Sequence, residues 1–232
     1  MSLLAPTQIL YEDNHLIAVS KLSGQIVQGD KTGDICLADM VKQYLKEKYN
    51  KEGNVFCGVI HRLDRPVSGV VIFAKTSKAL ARMNALVRER NMQKSYWAIV
   101  GNRPPKQQDT LIDYLVKNEQ QNKSYVVSAH TPNAVRAELQ YRLLAESERY
   151  FLMEIDLITG RHHQIRVQLA HIGCTIKGDL KYNAPRSNPD ASICLHARRI
   201  RFIHPIKCTP IDLIAPVPDD KLWQFFTKEV EK

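Results

Sequence analysis

The chain reads as an α+β protein built as a single domain around a large mixed, mostly antiparallel β-sheet with flanking helices and loops. Three observations carry that expectation. The middle third is a succession of β-branched and aromatic runs: Leu111 to Val116, Ser124 to Ser128, Ala134 to Leu144 and Tyr150 to Ile158. Helical spacing of apolar residues appears in only a few segments set among those runs. No internal repeat, low-complexity tract or linker divides the 232 residues, so one unit over 1–232 is expected, with enough chain for a full core.

In chain order, Thr7 to Glu12 and His15 to Ser20 flank Asp13-Asn14, a hairpin signal. From Ile35 to Tyr49, Leu37, Met40, Val41, Tyr44 and Leu45 recur at helical spacing with lysines opposite. Val59-Ile60 and Val70 to Phe73 read as buried strand ends, and Thr76 or Ser77 can cap a helix through Arg90. Gln93 to Val100 reads as strand, and Gly101 to Asp109, with Pro104-Pro105, as loop. Thr159-Gly160 opens a helix expected over His162 to Ile172 and closed by Gly173. Arg186 to Asp190 is a polar loop, Ile193 to Ile203 and Ile211 to Ile214 return to strand, and Asp219-Asp220 start a last helix through Val230.

Bulk composition narrows the function classes. The net charge is +9, an excess that favours a polyanionic partner, most simply nucleic acid, although small basic proteins with no such partner are common. The five cysteines (Cys36, Cys57, Cys174, Cys194, Cys208) include no C-x-x-C pair, so neither a zinc site nor a disulfide framework is indicated, and they read as reduced cysteines of a cytoplasmic protein. No run of about 18 apolar residues suggests a membrane span.

Two stretches concentrate chemistry. His61-Arg62-Leu63-Asp64-Arg65-Pro66-Val67-Ser68-Gly69 puts one carboxylate between two arginines and beside a Ser-Gly turn, on a loop between apolar runs. Neighbouring cations favour the ionised form of Asp64; the plainer reading is a surface salt-bridge loop. Thr159-Gly160-Arg161-His162-His163-Gln164-Ile165-Arg166 gathers donors at a helix start, with Ile165, Leu169 and Ile172 as the expected buried stripe and His162 and Arg166 sharing another face. The two histidines invite a metal reading, but they point to different faces and lack a third ligand at a recognised spacing, so no metal is expected. Tyr96 or Trp97 faces the core, as strand alternation requires. Leu195-His196-Ala197-Arg198-Arg199-Ile200-Arg201 reads as strand with basic residues outward.

Together these blocks resemble the RluA-type pseudouridine synthases. His61-Arg62-Leu63-Asp64-Arg65 with Ser68-Gly69 is similar to the family signature, and Lys21-Leu22-Ser23-Gly24 to its early Lys-Pro-x-Gly loop. Lys94-Ser95-Tyr96 resembles the block carrying the active-site tyrosine. Gly160-Arg161 with His163-Gln164-Ile165-Arg166 resembles the Gly-Arg-Thr-His-Gln-Ile-Arg block, and Leu195-His196-Ala197 with His204-Pro205 the late one. The resemblance implies the pseudouridine synthase fold, with Asp64 as the essential aspartate, Tyr96 as the active-site tyrosine and Arg166 as the arginine pairing with that aspartate. It further implies that Arg62 enters the space left by a flipped nucleotide, that Leu195 packs near the base, and that Arg161, His163 and Gln164 contact substrate. Pro66-Val67 stands where the family usually has Asp-Thr, His162 where it has a helix-capping Thr, and Leu22 where it has Pro.

The implied reaction isomerises uridine in structured ribosomal or transfer RNA, without redox change or net hydrolysis, so no cofactor or metal is expected. The rival enzyme reading, an aspartate-dependent glycoside hydrolase, needs a second carboxylate that no motif supplies. An RNA-binding protein without catalysis is the rival from another class. With the first strand expected near Thr7, no separate N-terminal RNA-binding domain is expected, and RNA selection would fall to the Gly101–Asp109 and Arg186–Asp190 loops. A cytoplasmic monomer is the favoured state.

Overall fold

The computed structural model describes residues 4–29 and 33–232. Among them are eleven strands: β1 Ile9–Glu12, β2 Leu16–Lys21, β3 Gly58–Val59, β4 Ser68–Ala74, β5 Met92–Val100, β6 Gln108–Asn118, β7 Lys123–Val127, β8 Val135–Glu146, β9 Phe151–Leu157, β10 Leu195–Ile203 and β11 Pro210–Ile214. The helices are α1 Leu37–Lys48, α2 Ser77–Arg88, α3 Gln164–His171 and α4 Lys221–Val230. The α+β class and the prevalence of antiparallel pairing expected from the sequence are thus present. The chain divides into two compact units, Met1–Met92 with Ala197–Pro216 and Gln93–His196 with Val217–Lys232.

In the first unit the strand order is β1-β2-β4-β10-β11, with β3 also on β4. Asp13 turns the chain between β1 and β2 by accepting the His15 and Leu16 amides through Oδ1, both at 2.8 Å. Every residue of β2 and β4 is buried, which explains why these strands read as unbroken apolar runs rather than alternating ones. α2, capped by Thr76 Oγ1 on the Ala79 amide at 3.1 Å, packs on β3 and β4. Leu16, Val70, Ile72, Met83, Ile200 and Leu213 share its core.

In the second unit the antiparallel order is β5-β9-β8-β6-β7. α3 lies on β6 and β7, and α4 on β8. Exposure alternates along β6 and β8, as it does in a sheet with one solvated face. Asp220 caps α4 through the Leu222 and Trp223 amides, and Trp223 and Phe226 are its buried anchors.

Three local expectations are corrected. Ser68-Gly69 is the start of β4, and the turn falls instead at Arg65-Pro66. α3 begins at Gln164, later than expected, and position 163 takes the cap place with a left-handed φ of 53° and no side-chain cap bond. The helix has no narrow apolar stripe, because Gln164 through Leu169 are all buried, Arg166 included, while Ile172 is only half-buried. A helix enclosed on all sides shows no clean amphipathic period.

Gly69 is where the first unit tolerates no side chain. Its φ is +120°, and a Cβ there would lie 2.6 Å from Ala197 N and closer still to the Ala197 carbonyl oxygen. Backbone strain and overpacking add at such a position. Gly69→Ala is expected to lower unfolding free energy by about 3 kcal/mol or more in urea titration; a loss below about 1 kcal/mol would contradict this packing.

Candidate active site

Asp64 lies between β3 and β4 on a loop pinned by the buried side chains of Ile60, Leu63 and Val67. The Val67 amide donates to the Asp64 carbonyl at 3.0 Å, closing a tight turn over Arg65-Pro66. Pro66, one of the two departures from the family pattern here, has no amide to donate and accepts through its carbonyl from Ser23 Oγ at 3.1 Å.

Lys21 holds this loop. It stands at the end of β2 opposite Gly69, is fully buried, and donates from Nζ to the carbonyls of Leu22 (3.1 Å), Arg65 (3.0 Å) and Val67 (2.6 Å). The Gly24 amide adds a 2.9 Å bond to the Arg65 carbonyl. The three consecutive carbonyls of residues 65 to 67 are therefore all engaged by the Lys21-to-Gly24 segment. An ammonium with three donors matches three acceptors. Burial pushes the Lys21 pKa down to about 7, against the opposing pull of the Asp64 carboxylate and with some help from the Arg65 charge. Half-buried Asp64 thus sits in the field of a buried cation. Of the flanking arginines, Arg65 pairs through its guanidinium with Asp34, and Arg62 is exposed. His61 anchors the loop's other end, with Nε2 accepting the Ile72 amide at 3.2 Å.

In the second unit Tyr96 is buried on β5. Its neighbours turn to the opposite face, where Ser95 Oγ donates to Asp156 at 2.5 Å and Trp97 Nε1 to Glu154 at 3.5 Å. Tyr96 therefore shares the other face with Lys94. Burial lowers the pKa of Lys94. Leu195 is buried at the start of β10, just after Cys194, whose carbonyl accepts the Ile99 amide of β5 at 2.9 Å.

The α3 approach is built from side-chain amides and rings. Gln164 Oε1 accepts from the Arg161 amide (3.0 Å) and Thr159 Oγ1 (2.8 Å), and its Nε2 donates to the Glu138 carbonyl at 3.0 Å. Its side chain shapes the loop that leads into α3. His163, buried, meets the Tyr182 hydroxyl through Nδ1 at 2.9 Å and stacks on His162 at 3.8 Å between centroids. His162 is not a helix cap: Nδ1 meets Ser124 Oγ at 2.8 Å and Nε2 meets Asn122 Oδ1 at 3.1 Å. Arg161 is exposed, with Nε donating to the Arg136 carbonyl at 3.1 Å.

Arg166 is gripped by a partner that sequence reasoning missed. Its Nε and Nη2 donate to Asp179 Oδ2 and Oδ1 at 2.7 and 2.8 Å, a two-pronged pair with both side chains buried. Thirteen residues separate the two, and no periodic pattern links them. The Tyr182 ring lies 5.2 Å from the Arg166 guanidinium carbon. Among the described residues no group of three or more His, Cys, Asp or Glu side chains is arranged to hold a metal ion, and no helix is long and apolar enough to cross a membrane.

Comparison with known proteins places these elements in context. A family model described as RNA pseudouridylate synthase matches residues 15–171. The chain is 33% identical to tRNA pseudouridine synthase C of Vibrio parahaemolyticus, over 97% of this chain and 96% of that one. It is 30% identical to ribosomal large subunit pseudouridine synthase D of Zymomonas mobilis, over 93% of this chain and 70% of that one. In fold it is similar to the solved structure of human RNA pseudouridylate synthase domain containing 4, with a TM-score of 0.79 at 24% identity over 96% and 92% of the two chains.

Two outcomes test this geometry. Folded, Lys21 titrates near 7; its ordinary value is 10.5. Between those values the unfolded chain binds more protons, so the contribution of Lys21 to stability rises with pH across that window and is flat below it. The difference in unfolding free energy between wild type and Lys21→Met is therefore expected to grow from pH 7 to 10, where a lysine of ordinary pKa would give a flat difference. Asp179→Ala, which strands the buried Arg166 charge, is expected to cost about 3–5 kcal/mol in urea unfolding; a cost under about 1 kcal/mol would mean that the pair does not hold Arg166.

Proposed function

This chain belongs to the RNA pseudouridylate synthase family, whose members isomerise uridine in RNA, and we propose that Asp64 is its essential catalytic carboxylate, acting on specific uridines of structured ribosomal or transfer RNA. The observation that carries the assignment is the Lys21 grip: a buried ammonium bonds the Arg65 and Val67 carbonyls of the loop that presents Asp64, and the two charges act on each other. The reaction cleaves the bond from ribose C1′ to ring N1, turns the base, joins C1′ to ring C5 and releases the C5 hydrogen as a proton, while N1 takes up a proton, so that no atom is gained or lost overall. An ionised carboxylate directed at the ribose or the ring is its minimum equipment.

The other roles follow the family pattern. Arg166, its plane set by Asp179, orients the carboxylate through a charge-assisted hydrogen bond. Tyr96 stacks on the uracil, Leu195 packs against it, and Arg161 and His163 contact the nucleotide. A base leaves a stem at a cost of a few kcal/mol, and Arg62, exposed on the Asp64 loop, takes the vacated place. The similarity to a tRNA enzyme and to a ribosomal one, each across more than nine-tenths of this chain, supports both RNA classes as targets. We propose further that the chain acts as one catalytic domain, as a monomer, in the cytoplasm, and with no bound cofactor or metal.

Tritium release from uridine labelled at C5, in transfer RNA and ribosomal RNA transcripts, tests this. Wild type is expected to release label from at least one class, and Asp64→Asn, nearly isosteric, to be slower by at least about a thousandfold. Tight RNA binding without release by wild type, or release by Asp64→Asn at the wild-type rate, would overturn the assignment.

A further inference from the structure

We propose that the end of the β6–β7 hairpin and the residues around it, Lys123 and Lys181, with Arg161 at the border to the target nucleotide, form a phosphate-binding surface that grips RNA beyond the target uridine. The inference rests on RNA being the substrate and adds a place where its backbone is held.

The first support is that this hairpin end is fixed. Asn122 has a left-handed φ of 45°, and its amide meets the Glu119 carbonyl at 3.3 Å to close the turn. Lys181 Nζ donates to the carbonyls of Gln121 (3.3 Å) and Asn122 (3.1 Å), and His162 Nε2 meets Asn122 Oδ1. The Ser124 amide donates to the Tyr182 hydroxyl at 2.9 Å, and Ser124 Oγ to the His162 carbonyl at 2.7 Å. A two-stranded end is thereby tied to the loop before α3 and to the short turn Leu180–Tyr182. His162, which departs from the family pattern, is one of the ties.

The second support is the state of the charges. Several surface cations elsewhere are met by carboxylates, as in Lys42–Asp39, Lys48–Glu12, Arg142–Glu154 and Lys207–Asp13. On the hairpin itself Lys117 is met by Glu119 at 2.6 Å, and beside it Arg136 by Glu138 at 2.6 Å. Lys123, Lys181 and Arg161 are held differently. Lys181 and Arg161 rest on backbone carbonyls, and Lys123 Nζ lies 5.1 Å from the Tyr182 ring centre and 5.4 Å from that of Tyr125. Carbonyls and ring faces direct a cation without cancelling its charge. Three positive charges are therefore oriented on a rigid patch with no ion pair to break before a phosphate binds. Tyr125 is exposed beside them, a face on which a base can stack.

The third support is position. Tyr182 contacts Lys123 on the patch and Arg166 in the α3 site. One aromatic ring thus separates the patch from the arginine assigned to catalysis, so RNA held there enters beside the site.

Salt dependence tests the proposal directly, because each phosphate met by a cation adds about 0.7–0.9 to the slope of log affinity against log salt. The probe is a transfer RNA or ribosomal RNA transcript, with binding read by filter retention. Lys123→Gln with Lys181→Gln is expected to lower the slope by about 1.5 and to raise KM. Lys181→Arg restores its share of the slope; Lys123→Gln alone, which removes no tie of the hairpin, lowers it by about 0.8. Slopes equal to wild type in both the double and the Lys123→Gln variants would overturn the proposal. Binding is read without turnover, so a wild type that binds steeply but releases no tritium would overturn the catalytic assignment and leave this surface standing.

Discussion

The site depends on one buried cation. Taking an ammonium out of water costs several kcal/mol even after relaxation, and Lys21, fully buried, remains there with three carbonyl acceptors. Two of those carbonyls belong to the turn that presents Asp64 and its neighbours. Left without a donor, a buried carbonyl such as that of Val67 costs about 1–3 kcal/mol, so the lysine and the turn require each other. Pro66 suits this arrangement: its carbonyl is held by Ser23, and its lack of an amide removes a donor the turn would otherwise have to satisfy. The same cation, which the Asp64 carboxylate acts on electrostatically, ties positioning and electrostatics to one atom.

The second unit solves the same problem with a different chemistry. Arg166 is buried on a helix enclosed by protein, where an unpaired guanidinium is untenable, and the two-pronged bond to Asp179 both satisfies it and sets its plane. Gln164 spends its whole amide on the loop that leads into the helix. Such fully partnered polar networks hold side chains in single rotamers, which is what positioning for chemistry demands.

Legibility in the sequence followed from how local each signal was. The β1–β2 hairpin, α1, α2 and α4 were readable because Asp13, Thr76, Asp220 and a 3.6-residue period are local signals. The order of five motif blocks made the family readable. α3 was misjudged at its start and in its burial, since a helix closed in on every side carries no amphipathic pattern. Ser68-Gly69 looked like a turn because φ of +120° at Gly69 serves a close approach to Ala197 that only sheet register reveals. Asp179 left no trace, for its role is a long-range pairing. The Lys21 grip was equally hidden, because backbone carbonyls have no residue identity to read. His162 was noticed as a departure, but its tie to the β6–β7 hairpin depends on strands forty residues away in sequence.

Amide hydrogen exchange combined with single-turnover isomerisation tests the central claim, that Lys21 holds the Asp64 turn in its working shape. The amides to follow are Val67 and Gly24, which bond the Asp64 and Arg65 carbonyls, with those of β4 as the internal reference. In Lys21→Met the account predicts faster exchange at Val67 and Gly24, slow exchange retained through β4, and a turnover rate that falls with the lost protection. Unchanged exchange at those two amides, or full turnover despite their release, would contradict it.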